Sequence, residues 1–297
     1  MSDLPLDQVR TLLAVVDEQS FDRAAAVLHV TPPAVSQRVK ALEQRVGRVL
    51  VLRTKPVRLT ESGQVLVRFA RQLTRLESDT RAELGLGGPE RDGPAATVAI
   101  AVNADSLATW FLGALEDVPA DPPVSFDLRS DDQDHTAALL REGQVMAAVT
   151  SAPHPVQGCS VTRLGTMRYR AVAAPAFAAR WIDGGPLAQR LPAAPAVLFD
   201  RKDDLQDRFL RRLTRRRRPE PVRHYIPASV SFVDAVAAGL GWGMVPELQL
   251  AGRGLTDLAP DRPTDVPLYW QQWKLDSPPL AGLAAAVARA AARALAR

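Results

Sequence analysis

The chain has 297 residues, enough for two domains each with its own core. Hydrophobic residues make up 46% and charged residues 24%, which argues against wholesale disorder, and no apolar run reaches the ~18 residues of a membrane span. The net charge of +4 is unevenly spread: Arg38 to Arg75 holds ten basic residues against two acidic ones, and residues 94–160 hold two arginines against nine acids, so one part suits a polyanion and another a cation.

The opening "MSDLPLDQVR" lacks a basic-then-apolar signal pattern, so the protein is expected to stay in the cytoplasm, away from membranes. Leu6, Val9, Leu13 and Val16 recur at helical spacing and predict an amphipathic helix over 6–18. "DRAAAVLH" predicts a short second helix, begun near Ser20 or Asp22, with Ala25 and Leu28 inward. Thr31 then precedes two prolines. Proline in a first helical turn forfeits no hydrogen bond, so Thr31-Pro32-Pro33 reads as the start of a third helix, although a residue before proline resists helical geometry and leaves the boundary open by one position. Val35, Val39, Leu42 and Val46 form its buried stripe and Gly47 its stop.

Residues 49–59, "VLVLRTKPVRL", predict a small hairpin with its basic residues outward. Thr60 caps a long helix over 61–84 whose Leu66, Phe69, Leu73 and Leu76 form a 3-4 seam, best satisfied by a second copy of the same helix. "GLGGPERDGP", 85–94, is the clearest linker. Beyond it, apolar strands ("TVAIAV", "VSFDLR", "VMAAVT", "RYRAVAA", "PAVLF", "VRHYIP", "WGMVP", "LYWQQW") alternate with helices, predicting an α/β unit with a largely parallel sheet, or two such sheets, closed by an Ala-rich helix.

With Val35, Val39 and Leu42 inward, the third helix presents Thr31, Pro33, Ser36, Gln37 and Lys40, flanked by Arg38, where a helix-turn-helix meets base edges in the major groove. Arg53, Lys55 and Arg58 on the hairpin suit phosphates. Double-stranded DNA is therefore the expected partner. The run "RRLTRRRRPEPVR" at 211–223 reads as a solvated helix end, with an auxiliary DNA or subunit contact as its alternative.

Residues 6–66, including "SFDRAAAVLHVTPPAVSQRVKALEQRVG" and "VLVLRTKPVRLTESG", resemble the winged helix-turn-helix of LysR-type transcriptional regulators. Leu59-Thr60-Glu61-Ser62-Gly63 stands where many members have Leu-Thr-Pro-Ala-Gly and keeps the capping Thr60. The resemblance implies a winged helix-turn-helix over 1–60, a dimerising linker helix over 61–85, a hinge over 86–94, and an effector domain over 95–297 of periplasmic-binding-protein type II. That domain would have two α/β subdomains, one spanning about 95–165 plus 266–297 and the other about 166–265. It further implies homodimers or homotetramers and contact with RNA polymerase.

"AVNADSLATW", "DQDH", "REGQVMAAVTS", "LGWGMVP" and "LYWQQWKLDSP" resemble the LysG/ArgP subgroup, regulators of basic-amino-acid export. That implies lysine, arginine or histidine as effector, no cofactor, and a LysE-type exporter gene as target. The residues suit such a ligand. Asn103 to Ser106 follow a strand and open a helix, so backbone N–H groups and the Ser106 hydroxyl suit an α-carboxylate. Asp105, Asp132 and Asp134 offer carboxylates to ammonium groups, with Asp203 and Asp204 facing them from the second subdomain. Thr150 adds a hydrogen bond and Trp242 a wall for the ligand's apolar stem. For each aspartate a helix cap or a solvated surface acid is the competing reading.

An enzyme would need a nucleophile–base pair or a metal cluster, and Cys159 and the four histidines form none. A LysR-type regulator with another effector, or a DNA-organising protein with a secondary ligand response, remains the alternative.

Overall fold

The computed structural model describes residues 4–84, 86, 96–119, 124–131, 133–214 and 222–296; the expected hinge beyond Leu86, Asp132 and the centre of the arginine run lie outside them. The first unit packs α1 (Leu6–Asp17), α2 (Phe21–Val27) and α3 (Pro32–Val46) around Val9, Leu12, Val15, Val35, Val39 and Leu42, all fully buried. Each such side chain contributes about 1.5–3 kcal/mol. The Ser20 hydroxyl caps α2 by accepting the Arg23 N–H at 3.4 Å. Pro32 is the first residue of α3, so both prolines lie inside the helix; Thr31 flanks it in extended geometry, and its carbonyl, not its hydroxyl, takes up the Val35 N–H.

The hairpin of β1 (Val51–Leu52) and β2 (Arg58–Leu59) is antiparallel, and Glu43 of α3 anchors its entry by accepting the Leu50 N–H at 2.8 Å. Next, α4 (Glu61–Glu83) starts at Thr60, whose hydroxyl accepts the Gly63 N–H at 3.1 Å and donates to the Val49 carbonyl at 2.8 Å. Gly63 is required there: a Cβ would stand 2.0 Å from the Leu50 carbonyl oxygen.

The seam expected on α4 is corrected at Leu66, which faces the helix-turn-helix core. Val65, Phe69 and Leu76 instead share the exposed face, with Leu73 half-buried beside them. The arginines Arg68, Arg71 and Arg75 occupy a different face and make contacts inside the molecule. Arg68 and Arg71 donate to the Arg141 and Glu142 carbonyls, Arg71 also pairs with Asp17, and Arg75 pairs with Asp79.

The second unit begins with β3 (Ala96–Asn103), α5 (Ala104–Thr109), α6 (Phe111–Glu116), β4 (Val124–Asp131), α7 (Gln133–Arg141) and β5 (Ala147–Thr150). β3 is parallel to both β4 and β5. β6 (Cys159–Ala173) then crosses into a second half built of α8 (Pro175–Trp181), α9 (Leu187–Arg190), β7 (Ala196–Leu198), α10 (Leu205–Leu213), β8 (Arg223–Tyr225), α11 (Ser229–Ala237), β9 (Gly243–Pro246) and β10 (Thr256–Asp257). Finally β11 (Thr264–Trp273) returns antiparallel to β6, and α12 (Pro278–Ala294) packs back on the first half.

The sheet order β10-β6-β11-β5-β3-β4, with β9 on β6, corrects the expectation of a largely parallel sheet. Among the described strands, parallel ladders join β3 to β4 and β5 and β7 to β8, with a parallel bridge from Ala196 to Trp242, while the two long crossing strands run antiparallel to their neighbours. The β6–β11 register breaks at a bulge between Leu268 and Tyr269, opposite Gly165, whose φ is 152°. Beside it Thr166 and Ala296 exchange hydrogen bonds of 2.7 and 3.1 Å. Among the described residues no helix is long and apolar enough to cross a membrane.

Candidate DNA face and effector cleft

On α3, Thr31, Pro33, Gln37 and Lys40 are exposed, and Ser36 and Arg38 are half-buried at the flanks. Proline at the first two helical positions leaves this end rigid, and the buried Val35, Val39 and Leu42 fix which face looks out. Arg53, Lys55 and Arg58 are exposed on the hairpin. The Arg53 guanidinium lies 5.0 Å from the Phe21 ring, a cation–π contact tying the hairpin to α2.

A second concave surface opens between the two halves of the α/β unit, a cavity of about 320 Å³. From the first half Asn103, Asp105 and Ser151 line it; from the second, Asp203, Asp204 and Arg208 do, with Phe199, Phe232 and Met244 as apolar wall. Asn103 is almost wholly buried, and its amide oxygen has no hydrogen-bond partner among the described residues, leaving an acceptor for a ligand.

Asp105 is the centre of the cleft floor. Its two carboxylate oxygens accept hydrogen bonds from the Tyr169 hydroxyl at 2.7 Å and the Ser229 hydroxyl at 2.6 Å. Burial pushes its carboxyl above the ordinary carboxylate value, and the two hydroxyls only partly oppose this. Asp203 accepts the Phe199 and Leu205 N–H groups at 2.9 and 3.1 Å; burial raises its carboxyl too, and the nearby Asp105 charge adds to the rise. Two desolvated carboxyls of like charge in one cleft favour a cation between them. At the rim, Asp204 and Arg208 pair at 2.9 Å.

The remaining expected contacts fall elsewhere. Trp242 is fully buried behind α10, its ring 6.0 Å from that of Phe209, so it supports the cleft wall from inside the core and does not line it. Ser106 is fully buried next to Asp105, and its hydroxyl oxygen has no hydrogen-bond partner among the described residues. Thr150 is likewise buried and accepts the Ala152 N–H at 3.1 Å; its neighbour Ser151 reaches the cavity. Asp132 lies outside the described residues, as does the side chain of Asp134. Cys159 is buried, with its thiol pushed up to about 11 by burial, which keeps it protonated and unreactive. Among the described residues no cluster of three metal-ligating side chains occurs.

Sequence reasoning misses Tyr169, Ser229, Arg208 and Lys202, which also lines the cavity. Tyr169 and Ser229 lie 64 and 124 residues from Asp105, so their hydroxyls gave no local signal.

A DNA-reading helix with a basic wing, a connecting helix and a two-part α/β domain with an acidic cleft define a one-component regulator. Residues 6–64 match the bacterial regulatory helix-turn-helix protein, lysR family, and residues 91–292 match the LysR substrate binding domain. The chain belongs to the LysR family of transcriptional regulators, which are not enzymes, and its α/β unit has the type II periplasmic-binding-protein fold of that family. It is 43% identical over 291 residues to the lysine export transcriptional regulatory protein LysG of Corynebacterium glutamicum, covering 96% of this chain and 97% of that one. The crystal structure of ArgP from Mycobacterium tuberculosis superposes with a TM-score of 0.88 at 46% identity, covering 98% of each chain. Full-length LysG from Corynebacterium glutamicum with bound effector Arg gives 0.83 at 40% identity, covering 99% of this chain and 100% of that one.

Proposed function

We propose that this regulator senses a basic amino acid (lysine, arginine or histidine) and controls transcription of a LysE-type amino-acid exporter gene from the cytoplasm. The observation that carries the reading is the pair Asp105 and Asp203: two carboxyls raised by burial in one cleft, a costly arrangement that a ligand's ammonium or guanidinium group relieves. The arginine named with one relative's structure and the lysine export named for another support it. Asn103 serves as a further polar contact and Asp204 as a rim contact, while Asp132 and Asp134 keep their sequence-based assignment.

In this reading residues 1–60 bind DNA, 61–85 form the dimer helix, 86–94 the hinge and 95–297 the effector domain. Thr31, Pro33, Ser36, Gln37, Arg38 and Lys40 meet the major groove, and Arg53, Lys55 and Arg58 hold phosphates. The exposed Val65, Phe69 and Leu76 pair two chains, dimers assemble into tetramers, and promoter-bound protein engages RNA polymerase. Calorimetry of the full-length chain against the twenty amino acids tests the effector: heat from lysine, arginine or histidine alone supports it, and none from these three overturns it. A salt-sensitive mobility shift on the exporter promoter, altered by the same ligand, tests the target.

A further inference from the structure

The geometry points to Tyr169, Ser229 and Gln249 as positioning residues that hold the Asp105 carboxylate as a tie between the two halves of the effector domain, through which a bound cation draws those halves together. The inference rests on the effector reading above and adds how binding at that site is transmitted. Asp105 sits on α5 in the first half. Ser229 opens α11 in the second half, and Gln249 follows β9 there. Tyr169 is on β6, the strand that crosses between them.

The hydrogen bonds have a defined direction. The Ser229 hydroxyl has one proton and donates it to Asp105, while its oxygen accepts from the Gln249 amide at 3.1 Å. The Tyr169 hydroxyl gives its proton to the other carboxylate oxygen. Gln249 thus orients Ser229, and Ser229 with Tyr169 orients Asp105. Tyr169 is 1% exposed and Ser229 7%, so water does not replace either donor readily. Each carboxylate oxygen retains acceptor capacity on the cleft side, where a cation can seat.

The coupling follows from charge. Hydrogen bonds to an ionised carboxylate are roughly twice as strong as those to a neutral group. A cation in the cleft favours the ionised form of Asp105, which strengthens the bonds to Ser229 and Tyr169 together. The ligand thereby favours the arrangement in which α5 and α11 are held, which is the differential affinity that a conformational response requires.

The test uses the full-length chain, calorimetry with arginine, and hydrogen exchange with and without saturating arginine, on Ser229→Ala, Tyr169→Phe and Gln249→Ala. In the unliganded wild type the hydrogen-bonded amides of α5 and α11 share protection, and each variant accelerates exchange there by about fivefold to tenfold, the worth of one hydrogen bond. Arginine still gives heat with Tyr169→Phe, with affinity reduced about tenfold or less. With Ser229→Ala it protects α5 but no longer α11, with Tyr169→Phe and Gln249→Ala its protection of α11 is weakened, and in the wild type it protects both. Ser229→Thr, which keeps the hydroxyl, restores both responses. Should Ser229→Ala fail to fold, Tyr169→Phe and Gln249→Ala carry the test, since each removes one polar group from an otherwise similar or half-buried side chain. Wild-type exchange in the unliganded variants, or arginine protection of α11 undiminished in them, overturns the tie. Absence of heat from arginine, lysine and histidine with the wild type overturns the effector reading instead, and the unliganded exchange rates then still decide the tie.

Discussion

Gly143, at the turn after α7, lies so close to α4 that a Cβ would stand 2.8 Å from the Arg68 Cα. Backbone there meets backbone, and Arg68 and Arg71 close the joint by donating to the Arg141 and Glu142 carbonyls at 3.5 and 3.3 Å. Those carbonyls are the negative end of α7, so the guanidinium groups also answer its dipole. Gly143→Ala must displace α4 or the turn, and its φ of 68° adds strain. The expected cost is about 1–3 kcal/mol, read as a lower melting temperature and as faster proteolysis between the two units.

Gly63→Ala is more severe. Its Cβ would overlap the Leu50 carbonyl, which is also the acceptor of the Thr60 N–H, so the start of α4 must separate from the hairpin. Destabilisation of the DNA-binding unit by about 3 kcal/mol or more is expected. Thermal unfolding followed by tryptophan fluorescence and by circular dichroism then separates into two steps, because the tryptophans from Trp110 onward all lie in the other unit.

Asp105→Asn should flatten the pH dependence of the unliganded protein's stability. The native carboxyl binds its proton more tightly than the unfolded one, so stability falls as pH rises from the ordinary carboxylate range through the raised native value, and stays lower above it. The asparagine removes that fall. Melting curves should show the wild type losing stability from acid to neutral pH more than the variant does, with the stabilisation by lysine or arginine lost in the variant.

On DNA, Lys55→Ala should weaken binding to all sequences about equally and lower the slope of log affinity against log salt by about one, as for a phosphate contact. Gln37→Ala should cost about 1–3 kcal/mol on the operator and little on random DNA. Titrations by fluorescence anisotropy at several salt concentrations separate the two.

Phe69→Glu places a charge on the exposed face of α4 beside Val65 and Leu76. Dissociation to monomers by sedimentation velocity, with the melting temperature of the effector domain unchanged, is the expected outcome.

The parts legible in sequence were those whose signal is local. The three short helices, the basic hairpin and the Thr60 cap were readable because spacing, prolines and glycines act over a few residues. Leu66 was misread because its position in the 3-4 pattern fits either of two faces, and only the neighbouring core decides between them. The first half of β6 was missed because "CSVTRLG" mixes polar and apolar residues, its pairing being supplied by β11 about a hundred residues later. Trp242 reads as a wall for the ligand's apolar stem, yet a large apolar ring equally fills the core behind α10. The carboxylate of Asp105 and the acidic surplus around it are readable in sequence, but its partners come from α11 and β6, which no local pattern connects to it.

The exchange of hydrogen bonds between Thr166 and Ala296 has a practical side. It fastens the chain just past α12 to the spot where β6 and β11, the two strands that link the halves of the effector domain, lose register. An affinity handle or fluorescent reporter fused shortly after Ala296 would therefore load that joint between β6 and β11.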